Sequence, residues 1–263
     1  MADVRRKPVR GIHPAADEEI VEKGDIFFAY RPRVGEEEPA GIADVQRFFM
    51  VLKPQGGSPF RLAVLGRKRL PEAARHERIW GFIDKIARSG RDIEEELRER
   101  HYGTKTRGER TVPAARPAGE GVYALLQRGR NLHLTYELEL PRREGEVQQE
   151  FNLPPQGAYI ISIKNPETPS PPGAGLPRRE EAHYPKSLQR EFRGRRFAAD
   201  DPHLLDYEGA EFVLVGARSD PERAYGIDIE TERESAETAD IVHKLKMTRR
   251  EHPLEPLLAG DWR

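Results

Sequence analysis

The chain has no cysteine. Disulfides, thiolate metal centres, iron–sulfur ligation and a cysteine nucleophile are therefore excluded together. No stretch reaches the ~18 apolar residues of a membrane helix, so no membrane partner is expected. Met1–Arg10 is basic but lacks the apolar run of a signal peptide, which makes a cytoplasmic protein the expectation. An excess of one charge is also missing. Lys and Arg total 44 against 45 Asp and Glu, for a formal net charge of −1. That balance argues against a globally basic nucleic-acid binder and leaves room for a local basic face. Catalytic signatures are absent too: there is no Gly-x-Ser-x-Gly elbow, no His-Glu-x-x-His, no P-loop and no dinucleotide glycine fingerprint. No cofactor is indicated.

What the chain does have is charge of both signs. Of its 263 residues 34% are charged and 37% hydrophobic, and the apolar ones fall in dense clusters such as Ile26-Phe27-Phe28 and Phe48–Leu52. Such clusters can build a core, so the chain is not expected to be disordered as a whole. The length suits one large domain or two ordinary ones. Mixed charge, scarce methionine and 22 prolines fit a heat-adapted source.

Turn and strand signals divide the chain. Residues 1–22 read as a polar arm with a short helix around 16–21. Residues 23–100 read as a first β-meander followed by helices. Strands are predicted at Gly24–Tyr30, Gln46–Leu52 and Phe60–Leu65. Pro71 and Glu72 suit a helix start, and Ile79, Ile83 and Ile86 fall at helical spacing, predicting a covering helix over 71–88. Ser89-Gly90 would break it before a second helix over 93–100, with Ile93 and Leu97 inward. Residues 101–120 read as a long basic loop.

The pattern then recurs in residues 121–167. Strands at Gly121–Leu126, Leu132–Leu140 and Ala158–Ile163 repeat the first triplet in order, which suggests an internal duplication. Phe212–Arg218 is a further echo. A Pro/Gly-rich linker covers 168–182. The rest, 183–263, holds a short helix over 184–197, a strand over 225–230, a helix opened by the Thr231-x-x-Glu234 capping pattern, and a tail whose Leu254, Leu257, Leu258 and Trp262 are free to dock. In that helix Thr238, Ile241, Val242 and Leu245 are expected inward. The expected class is α+β, predominantly antiparallel β, barrel-like or as packed sheets, with a few covering helices.

The segment Gly24–Tyr30, GDIFFAY, resembles the strand openings of small PUA-like barrels, in which a Gly-Asp turn precedes an apolar strand. The resemblance spans only this segment and carries no site residues across.

Candidate sites follow the strand ends. Arg31, Arg33, Arg67, Lys68 and Arg69, with Arg128/Arg130, Lys164 and Arg218, each follow a predicted strand. First and third strands of a meander exit at one end, so Arg31 and Arg33 can gather with Arg67–Arg69 as an anion site. Solvated strand ends balanced by nearby Glu have the same pattern. The loop carrying Lys105, Arg107 and Arg110 combines glycine, threonine and cations, a mix suited to phosphate, and Arg116 and Glu120 extend it. On the 132–140 strand, His133, Glu137 and Glu139 share one face and are the catalytic candidates; an exposed antiparallel face looks the same. Asp25 reads as a buried turn carboxylate. Phe192-Arg193-Gly194-Arg195-Arg196-Phe197 mixes arginine with aromatics, as single-strand binders do.

These features favour a non-enzymatic module for an anionic partner, nucleic acid or a phosphate-bearing ligand. The alternatives are a hydrolase or nuclease-like enzyme using the His133 face, and a structural or stress-associated protein forming a homo-oligomer through its Leu/Trp tail.

Overall fold

The apolar runs at 26–30 and 48–52 are too long for strands with one wet face, and the structure shows why. Both lie in a closed barrel whose outer wall is itself covered over these strands. The computed structural model describes residues 12–13, 19–57, 59–104, 108–171, 175–198, 201–218, 228–229 and 238–262. Eight antiparallel strands make the barrel: β1 (Glu19–Pro32), β2 (Val45–Pro54), β3 (Phe60–Leu65), β4 (Arg78–Ala87), β5 (Arg116–Arg128), β6 (Asn131–Leu140), β7 (Gln156–Lys164) and β8 (Glu211–Arg218). β1–β4 form one meander and β5–β8 a second. The sheet closes through β1 with β5 and β4 with β8. A short strand, Phe197–Ala198, adds to the end of β7.

Alternation assigns the faces. Ile26, Phe28, Tyr30, Phe48, Met50, Tyr123, Tyr136, Tyr159 and Phe212 point into the lumen and are buried there. An eight-strand barrel is just wide enough for its side chains to fill it. One end is plugged by aromatic rings: Phe48 stacks on Phe151 at 4.5 Å, and Trp262 lies 5.1 Å from Tyr30. Near the other end Arg61, fully buried, donates to both Glu22 oxygens (2.6 and 2.8 Å) and to Asp206 (2.7 Å). Burial alone would lower the Arg61 guanidinium; the hydrogen bonds and charge of Glu22, with Asp206, outweigh it and hold it above its ordinary value.

The outward residues Phe27, Phe49, Val51, Leu62 and Val64 form a second layer. Helix α1 (Gly90–Leu97) covers them with Ile93 and Leu97, and helix α2 (Asp240–Lys244) with Ile241. Leu254, Leu257 and Trp262 of the tail are buried in the same chain, so they are not available for a homo-oligomer contact. Glu120 is no loop residue. It is fully buried in β5, and its carboxylate accepts the amides of Asp240 (3.0 Å) and Ile241 (2.7 Å), which docks α2. Asp25 sits within β1, not in a turn, and pairs with Lys53 (3.2 Å) and Lys244 (2.8 Å).

Several other expectations are corrected. Residues 78–87 are strand β4, and only Ala73–Arg75 of the proposed 71–88 helix is helical, as a 3-10 turn. Ser89 does not end a helix. It caps α1 in a reciprocal pair with Asp92. The 101–120 loop is a hairpin, Arg100–Thr104 with Gly108–Val112, followed by the start of β5. Glu19–Glu22 of the expected arm belong to β1, and Thr238 is exposed. The segment after the Pro/Gly run is pinned to the barrel: the Leu176 amide donates to Glu211 (2.7 Å), and Glu181 pairs with Lys164 (2.8 Å). The Thr231–Glu234 capping pattern lies outside the described residues. Among the described residues, no helix is long and apolar enough to cross a membrane.

Candidate anion-binding groove

The register of three neighbouring strands places one set of side chains outside the barrel. Trp80 on β4 stands opposite Val213 on β8, which stands opposite Ser162 on β7. One step along, Phe82 is opposite Glu211; one step the other way, Arg78 is opposite Val215. The outer layer that covers β1–β3 stops short of this sheet sector, where Trp80, Phe82 and Val215 are half-buried and Arg78 is exposed.

Two recesses share Arg78 and Trp80. The first, about 440 Å³, is completed by Phe197, Val213, Val215 and Arg196. The second, about 490 Å³, is completed by Gly66, Arg67, Phe82 and Glu211. Both fall within the ~300–1,000 Å³ range of small-ligand clefts. The Trp80 and Phe197 ring centroids are 6.1 Å apart, and the Arg196 guanidinium lies 6.0 Å from the Phe197 centroid. Arg196 also donates to the Pro169 carbonyl at 3.0 Å.

The charges differ in how firmly they are held. Glu77 takes Arg67 (3.2 Å) and Arg69 (2.8 Å), and its carboxylate also accepts the Glu72 amide. Burial pushes the Glu77 carboxyl up, but that amide and the two guanidiniums outweigh it and hold it below its ordinary value. Glu211 pairs from behind with buried Lys164 at 2.9 Å, a lysine it shares with Glu181 at 2.8 Å. Burial alone would lower the Lys164 ammonium, but Glu181 and Glu211 outweigh it and hold it above its usual value. The Arg78 guanidinium has no hydrogen-bond or ion-pair partner among the described residues.

No family model, curated protein or solved structure matches this chain.

Of the residues singled out in the sequence, only Arg67 and the Arg196–Phe197 pair line this groove. Lys68 adopts a left-handed turn conformation (φ 59°) and donates back to the Val45 carbonyl. Arg69 turns to Glu77 and to the Leu70 carbonyl. Arg31 is a buried structural residue. It donates to the carbonyls of Glu96 (2.6 Å), Arg98 (3.2 Å) and Pro113 (2.6 Å), tying the end of α1 to the barrel. Burial first, then the nearby Arg100 and Arg47 charges, push the Arg31 guanidinium down to about 10, so it stays charged at neutral pH. Arg31 lines a different recess, with Arg47, Asp84 and Arg100, so it does not gather with Arg67. Arg33 is exposed at the end of β1, and Arg110 is half-buried in the hairpin opposite Tyr102. Lys105 and Arg107 lie outside the described residues.

His133 and Glu137 share the outer face of β6, but a bulge at Glu139, beyond which Leu140 joins the outer layer, takes Glu139 out of that alternation, and His133 and Glu139 are buried. At ~3.3 Å per strand residue, His133 and Glu137 are spaced by about 13 Å along β6. They cannot act on one atom. Glu137 instead accepts from Gln156 at 3.2 Å. Burial, with a smaller contribution from Arg128, lowers the His133 imidazole to about 4. Among the described residues no three His, Asp or Glu side chains cluster as metal ligands.

Arg78 and Trp80 escape the sequence because Ile79, Ile83 and Ile86 match helical spacing where the chain forms β4. Read as a strand, Arg78-Ile79-Trp80-Gly81-Phe82-Ile83 alternates and puts Arg78, Trp80 and Phe82 on one face.

Proposed function

We propose that the protein is a non-enzymatic module that binds single-stranded nucleic acid in the groove over β4 and β8. The observation that carries this reading is the Arg78 guanidinium, without a described partner, beside the accessible rings of Trp80 and Phe197. Proteins that hold single strands combine cationic side chains along the backbone with aromatic rings on which bases stack. Arg67 and Arg196 supply further cations at the two ends of the same groove. A duplex hides the faces of its bases, so it cannot use the rings. The chain as a whole is nearly neutral, so it gives little long-range steering. Affinity would come from the groove itself.

The test is fluorescence anisotropy with labelled single-stranded oligonucleotides at stepped salt. If Arg78 and Arg196 each neutralise one phosphate while Glu77 holds Arg67, log K falls against log salt with a slope of about −1.4, and duplex competes poorly. No affinity at low ionic strength rejects the reading.

A further inference from the structure

We propose that the two recesses, both lined by Trp80, hold two successive bases of one strand, and that Arg78 binds the phosphodiester joining them. This rests on the single-strand reading above. Among the described residues, Arg78 and Trp80 are the only side chains that line both recesses. A ligand that bridges the two must therefore pass them. Outward residues on a strand recur every ~7 Å, so a guanidinium and an indole two positions apart stand side by side. That puts a cation at the junction and a π surface next to each chamber, the arrangement that one phosphate flanked by two bases fits.

The chambers differ in chemistry. The first is walled by Phe197, Val213 and Val215, a surface that stacks on any base. The second offers Arg67 and the Glu211 carboxylate, beside the backbone of Gly66. Lys164, shared with Glu181, offsets only part of the Glu211 charge, so the phosphate is expected on the Arg78 side of the junction.

Isothermal titration calorimetry with ApA, AMP and an adenylate tetramer tests the proposal. ApA carries fewer charges than AMP, so charge alone would favour AMP. The second stacked base is expected to make ApA bind about tenfold tighter than AMP. Arg78→Gln, at an exposed position, should bring ApA down to the level of AMP. If the tetramer binds but ApA is no tighter than AMP, or if Arg78→Gln weakens both equally, the two-base arrangement is overturned and the single-strand reading stands. If none of the three binds, both fall together.

Discussion

The rings of Trp80 and Phe197 lie 6.1 Å apart, centroid to centroid, with their planes inclined at 53°. Tilted aromatic pairs at this separation are favourable. Here both rings sit on the outside of a barrel whose neighbouring outer face is covered by helices, and both are half-buried. They come from β4 and from the short strand beyond β7, so the β4–β8 closure and the pairing of that strand with β7 together bring them close.

Trp80→Ala should therefore cost binding far more than folding. Loss of one stacking platform is expected to weaken single-strand affinity by about 1–3 kcal/mol. Because Trp80 is outside the lumen, stability should fall by only ~1 kcal/mol or less. Anisotropy titrations and urea midpoints on the same preparation separate the two effects. Equal affinity for variant and parent would remove Trp80 from the site.

Glu77 restrains two cations at the groove rim, so its removal should strengthen anion binding. In Glu77→Gln the Arg67 and Arg69 guanidiniums lose their carboxylate, and Arg67 becomes free to take a phosphate. The slope of log K against log salt should steepen by about 0.7, the value of one more contact to a single strand. A weaker or unchanged affinity would show that Arg67 does not face the ligand.

How much of this was readable beforehand depends on what each residue buries. β1–β3 and β6 are visible because most of their inward positions are apolar, as in Leu132, Leu134 and Tyr136, with Arg61 and Glu22 as exceptions near one end. β4 was hidden by Gly81. Its position faces the lumen, and a Cβ there would lie 2.7 Å from the Phe212 ring, so glycine stands where the alternation needs an apolar side chain. With that gap, Ile79, Ile83 and Ile86 matched a helix just as well. The hairpin at 100–112 buries neither face, and a polar ribbon has no alternation to read. The groove depends on the β4–β8 pairing, which joins strands distant in sequence. The arginines at strand ends are recognisable as cations, but not their partners: Glu77 for Arg67 at the groove, three carbonyls for Arg31 in another recess.

His133 should make stability pH-dependent on the acid side of neutrality. Its folded value of about 4 lies below the ordinary 6.5. A depressed value means the unfolded chain binds the proton first. The contribution is thus fully present above about 6.5 and is lost as pH falls toward 4, up to ~3 kcal/mol in all. His133→Gln lacks this titration. The gap in urea midpoint between His133→Gln and the parent should therefore change between pH 7 and pH 4. A constant gap would mean that the imidazole is not desolvated as its burial implies.

The Arg61 cluster should behave as a unit. The guanidinium is fully buried, while the side chains of Glu22 and Asp206 keep 10% and 19% of their exposure. Tyr123 also donates to Glu22 at 2.8 Å. Arg61→Met leaves two carboxylates at the barrel end without their counter-ion, which typically costs ~3–5 kcal/mol. Partial access to water places the expected loss near the lower end. Removing Glu22 as well takes away the more buried carboxylate and leaves Asp206, which is more exposed and also contacts His203. Arg61→Met with Glu22→Leu should therefore recover part of the loss, and a double-mutant cycle in urea should show coupling. Additive losses would mean that Arg61 stabilises the barrel by filling volume in the lumen rather than by its charge.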